Sequence, residues 1–117
     1  MSNPNLANVT SILGTTAVQA MGVSATAIVT NSSGSNTVVK VDSLYISNVD
    51  GTNNYSATVD LYRSSTAYRI AYLVTVPAGA TLDVLSRYVY LQEGDSLRLT
   101  ANSASKLEAV CSYEVLS

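Results

Sequence analysis

The chain of 117 residues contains no histidine and a single cysteine, Cys111. Catalytic pairs of serine or cysteine with histidine need an imidazole, and the common transition-metal sites rely on imidazole and thiolate ligands, so these sites cannot be built within one chain. One cysteine also excludes a disulfide within the chain. Because Ala109 and Tyr113 share its predicted strand face, we expect Cys111 to be a buried, inert thiol. No cofactor is predicted.

Charge is also scarce, since charged residues make up 12% of the chain. The six Lys and Arg residues are spread along the sequence and the net charge is −2, so we expect no nucleic-acid partner. No apolar run approaches the roughly 20 residues of a transmembrane helix, and residues 1–6 do not resemble a signal peptide. We therefore expect no membrane partner.

A hydroxyl-rich surface with so little charge favours an assembled state, because it lacks the electrostatic repulsion that keeps monomers apart.

Chemistry would have to come from the eight Asp and Glu residues. A glycosidase needs two carboxyl groups facing each other across a cleft, and a small β-sandwich rarely has one deep enough. Residues 50–54, Asp-Gly-Thr-Asn-Asn, offer oxygen ligands for calcium, but they are also turn formers, and we interpret them as a loop between strands. We predict a protein that is not an enzyme and has no metal site.

The sequence is rich in alternation of apolar and polar residues, the period of a β-strand. In residues 55–63, Ala57 and Val59 lie on an apolar face, while Ser56, Thr58 and Asp60 form a polar face, which predicts a half-buried strand. The next strand places on one face Tyr68, Ile70, Tyr72, Val74 and Val76. Strands are predicted at 23–30, 38–47, 55–63, 68–76, 81–85, 87–91, 96–101 and 107–115.

About eight strands, with turn signals every eight to twelve residues, predict an antiparallel β-sandwich of jelly-roll type over residues 21–117. Residues 1–20 have no sustained period and are predicted to form an N-terminal arm or a short edge strand. An arm could lie on a neighbouring subunit or fold onto its own domain, and of these two we favour the neighbouring subunit.

The aromatic residues are eight tyrosines, with neither Phe nor Trp. Most of these rings are expected in the core, but Tyr62 lies on the polar face of its strand, and Tyr88 and Tyr90 share a face opposite Val89 and Leu91. Tyr and Arg are both enriched at protein interfaces. The interface candidates are therefore Tyr62, Tyr88, Tyr90, Arg63, Arg69 and Arg87. A carbohydrate-binding module is the alternative use of such rings, although the chain lacks Trp.

From about Val38 onward, the order of the segments resembles small virion structural proteins of tailed bacteriophages, particularly marine and cyanobacterial phages. The resemblance lies in the blocks 41–48 (VDSLYISN), 59–62 (VDLY), 76–82 (VPAGATL), 90–99 (YLQEGDSLRL) and 107–114 (LEAVCSYE). It covers roughly the last 80 residues and carries no catalytic signature.

The resemblance implies a β-sandwich present in many copies on the exterior of a virion and made in the host cytoplasm. The expected function is that of a capsid decoration or cement protein, with the major capsid protein and further copies of itself, as a dimer or trimer, for partners. The alternative is a tail, neck or head-to-tail component that binds tail proteins. From a different class, a carbohydrate-binding module for host glycans stays open.

Overall fold

The computed structural model describes residues 6–117, and its regular secondary structure is almost entirely β-strand. One short 3₁₀ turn, Leu6–Asn8, precedes the first strand. The strands are β1 (Ile12–Ala20), β2 (Thr26–Thr30), β3 (Val38–Asn48), β4 (Tyr55–Arg63), β5 (Thr66–Val76), β6 (Thr81–Asp83), β7 (Val89–Leu91), β8 (Ser96–Ala101) and β9 (Leu107–Leu116).

The strands form two antiparallel sheets. The first, called the β1 sheet, has the order β1-β9-β3-β6, with β7 also paired to β3, and the second, called the β5 sheet, has the order β2-β8-β4-β5. Strands β6 and β7 pair with opposite ends of β3 and act as two halves of one strand. The pairs β1/β9, β2/β8, β3/β6-β7 and β4/β5 are nested, as in a long hairpin rolled into a sandwich. This order confirms the predicted antiparallel jelly roll.

The core lies between the inner faces of the two sheets. Leu44 and Ile46 of β3 are fully buried, and they belong to the same apolar cluster as Val59 of β4 and Leu97 and Leu99 of β8. Their spacing of two residues within each strand follows from the pleat, which sends alternate side chains to opposite faces. The hydrophobic effect of this burial is the main force that holds the sheets together.

Strand β1 forms within residues 1–20, where the sequence shows no alternation. It pairs with β9 of the same chain along its whole length, from Ile12 opposite Leu116 to Ala20 opposite Glu108. Ile12–Ala20 thus form an edge strand, one of the two structures predicted for this segment, rather than the favoured arm on a neighbouring subunit. The sequence shows no period here because both faces of β1 remain largely exposed, so neither face requires apolar residues. The first five residues of the predicted arm lie outside the described residues.

The predicted apolar face of β5 is correct at Ile70 and Val76 but wrong at Tyr72, because β5 contains two bulges. The register passes from Ala57 opposite Val74 to Val59 opposite Ala71, and then to Asp60 opposite Arg69, so β5 has two more residues than the matching part of β4. Each extra residue interrupts the alternation of faces. Tyr72 is consequently 60% exposed, beside the guanidinium group of Arg69.

The polar face predicted for β4 is buried at its centre. Thr58 and Asp60 are 5% and 1% exposed, although they alternate with the core residues of the same strand. The Thr58 hydroxyl accepts a hydrogen bond from the backbone N–H of Leu73, at the bulge of β5, at 3.1 Å. The bulge thus supplies the partner that a buried Thr hydroxyl needs.

Candidate interaction surfaces

The outer face of the β1 sheet carries a cluster of two tyrosines and one lysine, which we call the tyrosine cluster. The rings of Tyr88 and Tyr90 meet edge to face with centroids 5.3 Å apart, and the Lys40 ammonium lies 4.5 Å from the centre of the Tyr88 ring. Lys40 also lies 3.8 Å from Asp42 and 3.9 Å from Glu114. Val89 and Leu91 point into the core, so the predicted separation of the two faces is correct. Tyr88 remains 53% exposed.

The outer face of the β5 sheet carries a second group, which we call the Asp60 cluster. Asp60 accepts a hydrogen bond from Arg69 at 2.7 Å, and its other oxygen lies 3.9 Å from Arg98. The Arg98 guanidinium lies 3.8 Å from the centre of the Tyr62 ring, and that of Arg69 lies 5.0 Å from the Tyr72 ring. Alternating cations and ring faces attract one another by cation–π interaction.

Two predicted interface residues, Tyr62 and Arg69, thus lie in the same cluster. Asp60, Tyr72 and Arg98 complete the cluster but were not predicted. Asp60 and Arg98 lie opposite each other on β4 and β8, and Asp60 and Arg69 on β4 and β5. Only the strand pairing, including its bulges, brings them together. An acidic residue at the centre of the polar face predicted for β4 was the one sequence signal that pointed here.

Arg63 and Arg87 differ from the other interface candidates. Arg63 binds Asp95 with two parallel hydrogen bonds, of 2.8 Å from Nε and 2.5 Å from a terminal nitrogen. Asp95 is 2% exposed and also accepts the backbone N–H of Gln92 at 2.8 Å. Arg63 therefore ties the end of β4 to the loop before β8. Arg87 is exposed and has no ion-pair partner within residues 6–117.

The Arg63–Asp95 pair predicts a stability that depends on pH. Burial raises the pKa of Asp95, but the hydrogen bonds from Arg63 and Gln92 and the charge of Arg63 outweigh it, so the pKa lies below its ordinary value. A carboxyl whose pKa is lower when folded stabilises the fold above its unfolded pKa, about 4, and loses this contribution as the pH falls through the folded pKa.

We expect Asp95→Asn to lower the free energy of unfolding by about 2 kcal/mol at neutral pH, because hydrogen bonds to charged groups contribute about 1.5–3 kcal/mol. The difference from the unmodified protein should shrink below about pH 4. Urea unfolding at several pH values measures it, with the exposed Asp83→Asn as the control. A difference independent of pH would show that the charge of Asp95 plays no part.

The loop at residues 50–54 uses its carboxylate internally. The Tyr55 hydroxyl and the N–H of Thr52 each donate a hydrogen bond to Asp50 at 2.8 Å. Together with weaker bonds from Asn53, they lower the pKa of Asp50 to about 2 against the opposing effect of burial. Residues 6–117 contain no group of three or more His, Cys, Asp or Glu side chains that could hold a metal ion. The geometry is that of a turn closed by its Asp side chain.

Cys111 is fully buried among core side chains, as predicted. Burial raises its pKa to about 11, and the negative charge of Asp42 adds to the shift. A thiol with so high a pKa is almost entirely protonated at neutral pH, and the thiolate is the nucleophilic form.

Two carboxylates, Glu93 and Asp95, line a shallow depression beside Arg63. Glu93 accepts the backbone N–H groups of Gly34 at 3.2 Å and Asn36 at 2.8 Å. Both carboxylates therefore bind neighbouring loops, Asp95 through its hydrogen bonds to Arg63 and Gln92.

No helix within residues 6–117 has the length and hydrophobicity to cross a membrane.

No protein-family model matches the chain, and no curated protein matches it. Among solved structures, the chain is similar to one described as "Bacillus endospore appendages form a novel family of disulfide-linked pili". The TM-score is 0.55 and the sequence identity 13%, over 100% of this chain and 96% of that chain. At this identity the similarity is one of fold.

Proposed function

We propose that the protein is a non-enzymatic structural subunit of a phage particle, a decoration protein that binds over junctions between major capsid subunits. The observation that carries this proposal is the outer face of the β1 sheet. There Val18, Val110 and Tyr45 lie side by side on β1, β9 and β3 and are 74%, 41% and 43% exposed. An extended apolar patch on a soluble domain is typical of a protein interaction site.

The surroundings of this row support the same proposal. Thr16 and Ser112 lie next to it on β1 and β9 and add hydroxyl groups, joined by a 3.3 Å hydrogen bond, rather than charges. The tyrosine cluster lies on the same outer face, toward the other end of β3. The row itself carries no charge, while Asp83 and Glu108 lie beside it and Lys40 pairs with Asp42 and Glu114. An uncharged centre with charged groups at its margin is suited to a flat protein surface, because charges at the rim can stay solvated on docking.

A decoration protein would act by coupling its own binding to the stability of the capsid lattice. A protein that binds the assembled lattice and not the free subunits stabilises the lattice by its free energy of binding, summed over many copies. Such a role needs no catalytic group and only a modest contact area at each site.

The test is co-sedimentation of the purified protein with capsid shells and with isolated tails that were both prepared without it. We expect saturable binding to shells at many copies per particle. Tyr45→Lys should weaken this binding at least tenfold, because its ammonium group, even beside the exposed Asp83, would have to be desolvated on docking. Tyr68→Lys is the matched control, since Tyr68 is similarly exposed, at 56%, but belongs to the β5 sheet.

Other outcomes would overturn the decoration proposal. Binding to tails alone would assign the protein to the tail, neck or head-to-tail connection. Binding to neither would make the carbohydrate-binding alternative the next to test, by titration with host glycans.

A subunit of a self-assembled fibre is the second candidate, favoured by the similarity to the endospore pilus structure over nearly the whole length of both chains. The disulfide linkage in that description could not arise from Cys111, the sole cysteine, while it stays buried in the fold. Electron microscopy of the concentrated protein distinguishes the two, because fibres formed without shells would favour this candidate.

A further inference from the structure

We propose that β1 pairs with β1 of a second copy of this chain, in antiparallel orientation about a two-fold axis, and so joins two β1 sheets into one. The inference does not depend on the capsid proposal, because it concerns the protein alone. It begins from the four edges of the sandwich, which are β1 and β6-β7 in one sheet and β2 and β5 in the other.

Three of these edges are poor templates for another strand. Strands β6 and β7 have three residues each, and β2 has five with a register shift against β8. Strand β5 has eleven residues, but it is interrupted by two bulges and carries Arg69. Short strands, bulges and charges are the usual means by which proteins protect an exposed edge.

Strand β1 has none of these protections. Its nine residues, ILGTTAVQA, contain no charge and no proline, and they pair with β9 without any register shift. Ile12 and Val18 are 65% and 74% exposed. A long, regular and uncharged edge strand is a template for pairing with another chain.

The hydrogen bonds between β1 and β9 identify the residues of β1 whose backbone groups are directed away from β9. Ser11 and Ser117 exchange both backbone hydrogen bonds, each of 3.0 Å, and Met21 donates its N–H to Leu107 at 2.8 Å. Since bonded and free residues alternate in an antiparallel pair, the odd-numbered residues of β1 bond to β9. Among residues 6–117 no strand pairs with the other side of β1. The N–H and C=O groups on that side belong to the exposed residues Ile12, Gly14, Thr16, Val18 and Ala20.

Self-pairing fits this set of residues. A two-fold axis at Thr16, the middle of β1, overlaps all nine residues and places Thr16 opposite Thr16 of the second copy, a favourable cross-strand pair. With no charge on β1, no like charges are brought together. Every outward-facing residue then meets an outward-facing residue of the other copy.

Gly14 gives an independent indication. It lies within a regular strand, and a Cβ atom added to it would meet nothing within 4 Å in the single chain, so packing inside the chain does not require a glycine there. Glycine within a strand often marks the close approach of another backbone or ligand. In the two-fold arrangement Gly14 lies opposite Val18 of the second copy, whose branched side chain has room beside it.

The test is the molar mass of the purified protein over a range of concentrations, by sedimentation equilibrium. We expect twice the 12.3 kDa of the single chain, with a dissociation constant in the micromolar range that suits a small interface. Thr16→Lys places two ammonium groups together at the axis and should raise the dissociation constant at least tenfold. Thr75→Lys, the same change at an exposed position of the protected edge β5, should leave it unchanged.

A cysteine variant tests the register without adding charge. Residues that form a hydrogen-bonded antiparallel pair have Cα atoms about 5.5 Å apart, within the range that a disulfide spans. Under mild oxidation Thr16→Cys should form a covalent dimer and Thr75→Cys should not. A single-chain mass at all concentrations, or equal cross-linking of the two cysteine variants, would overturn the inference. Thermal unfolding of each variant confirms that it is folded.

Discussion

Replacing Asp60 with alanine is expected to lower the free energy of unfolding by about 3 kcal/mol, because removal of one partner from a buried ion pair typically costs about 3–5 kcal/mol. Asp60 is 1% exposed and is the carboxylate shared by Arg69 and Arg98. The lower end of the range applies, since the Arg69 and Arg98 side chains are 49% and 24% exposed and water can solvate them in part.

Arg98 makes this loss larger than that of a surface ion pair. Its Nε is already buried without a hydrogen-bond partner within residues 6–117, so removal of Asp60 leaves the guanidinium group less compensated still. Urea unfolding of the variant is the measurement, and Asp83→Ala, at an exposed position of β6, is the control, expected to change stability by less than about 0.5 kcal/mol. If Asp60→Ala behaved like the control, the Asp60 cluster would not contribute to stability.

Replacing Asn31 with alanine is expected to cost about 2–4 kcal/mol, because it would leave several buried polar groups without partners. The Asn31 side chain is 1% exposed and donates to the carbonyl groups of Thr37 at 3.0 Å and Leu91 at 2.9 Å. Its oxygen accepts the hydroxyl groups of Ser35 at 2.6 Å and Thr37 at 3.2 Å. It thus fastens the loop after β2 to the end of β7.

Asn31→Asp tests separately the hydrogen bonds that the Asn31 side chain donates and those that it accepts. It keeps the oxygens that accept from Ser35 and Thr37 but loses the donor to the carbonyl groups of Thr37 and Leu91, so we expect a loss at least as large as that of the alanine variant at neutral pH. The exposed Asn53→Ala should change the free energy of unfolding far less. Chemical unfolding of the three variants checks this, and a neutral effect of Asn31→Asp would contradict the requirement for the donor.

The sequence predicted the strands best where apolar and polar residues alternate. The bounds of β4 and β8 match the predicted strands, and the outward direction of Tyr88 and Tyr90 follows from Val89 and Leu91 being apolar. In these segments the pattern of apolar residues is itself the cause of the structure, because burial of one face selects the register.

The remaining features depend on contacts between distant segments. The bulges of β5 leave no trace in its own sequence, yet they bring Tyr72 and Arg69 to the same face and give Thr58 a backbone partner. Asn31 lies between the predicted strands 23–30 and 38–47, and only the fold shows it buried between two loops. The burial of Asp60 likewise depends on arginines from two other strands.

The nested pairing of the strands has a consequence for the order of folding. Strand β9 lies between β1 and β3, so the β1 sheet cannot close before β9 has been synthesised. Until then β1 has no neighbour within its own chain, while the β4/β5 hairpin can already form. Contacts so distant in sequence are costly in loop entropy and make folding slow, in the range of milliseconds to seconds. A nascent chain would thus expose the backbone groups of β1 for the whole of this interval, when chaperones or other nascent chains can reach them.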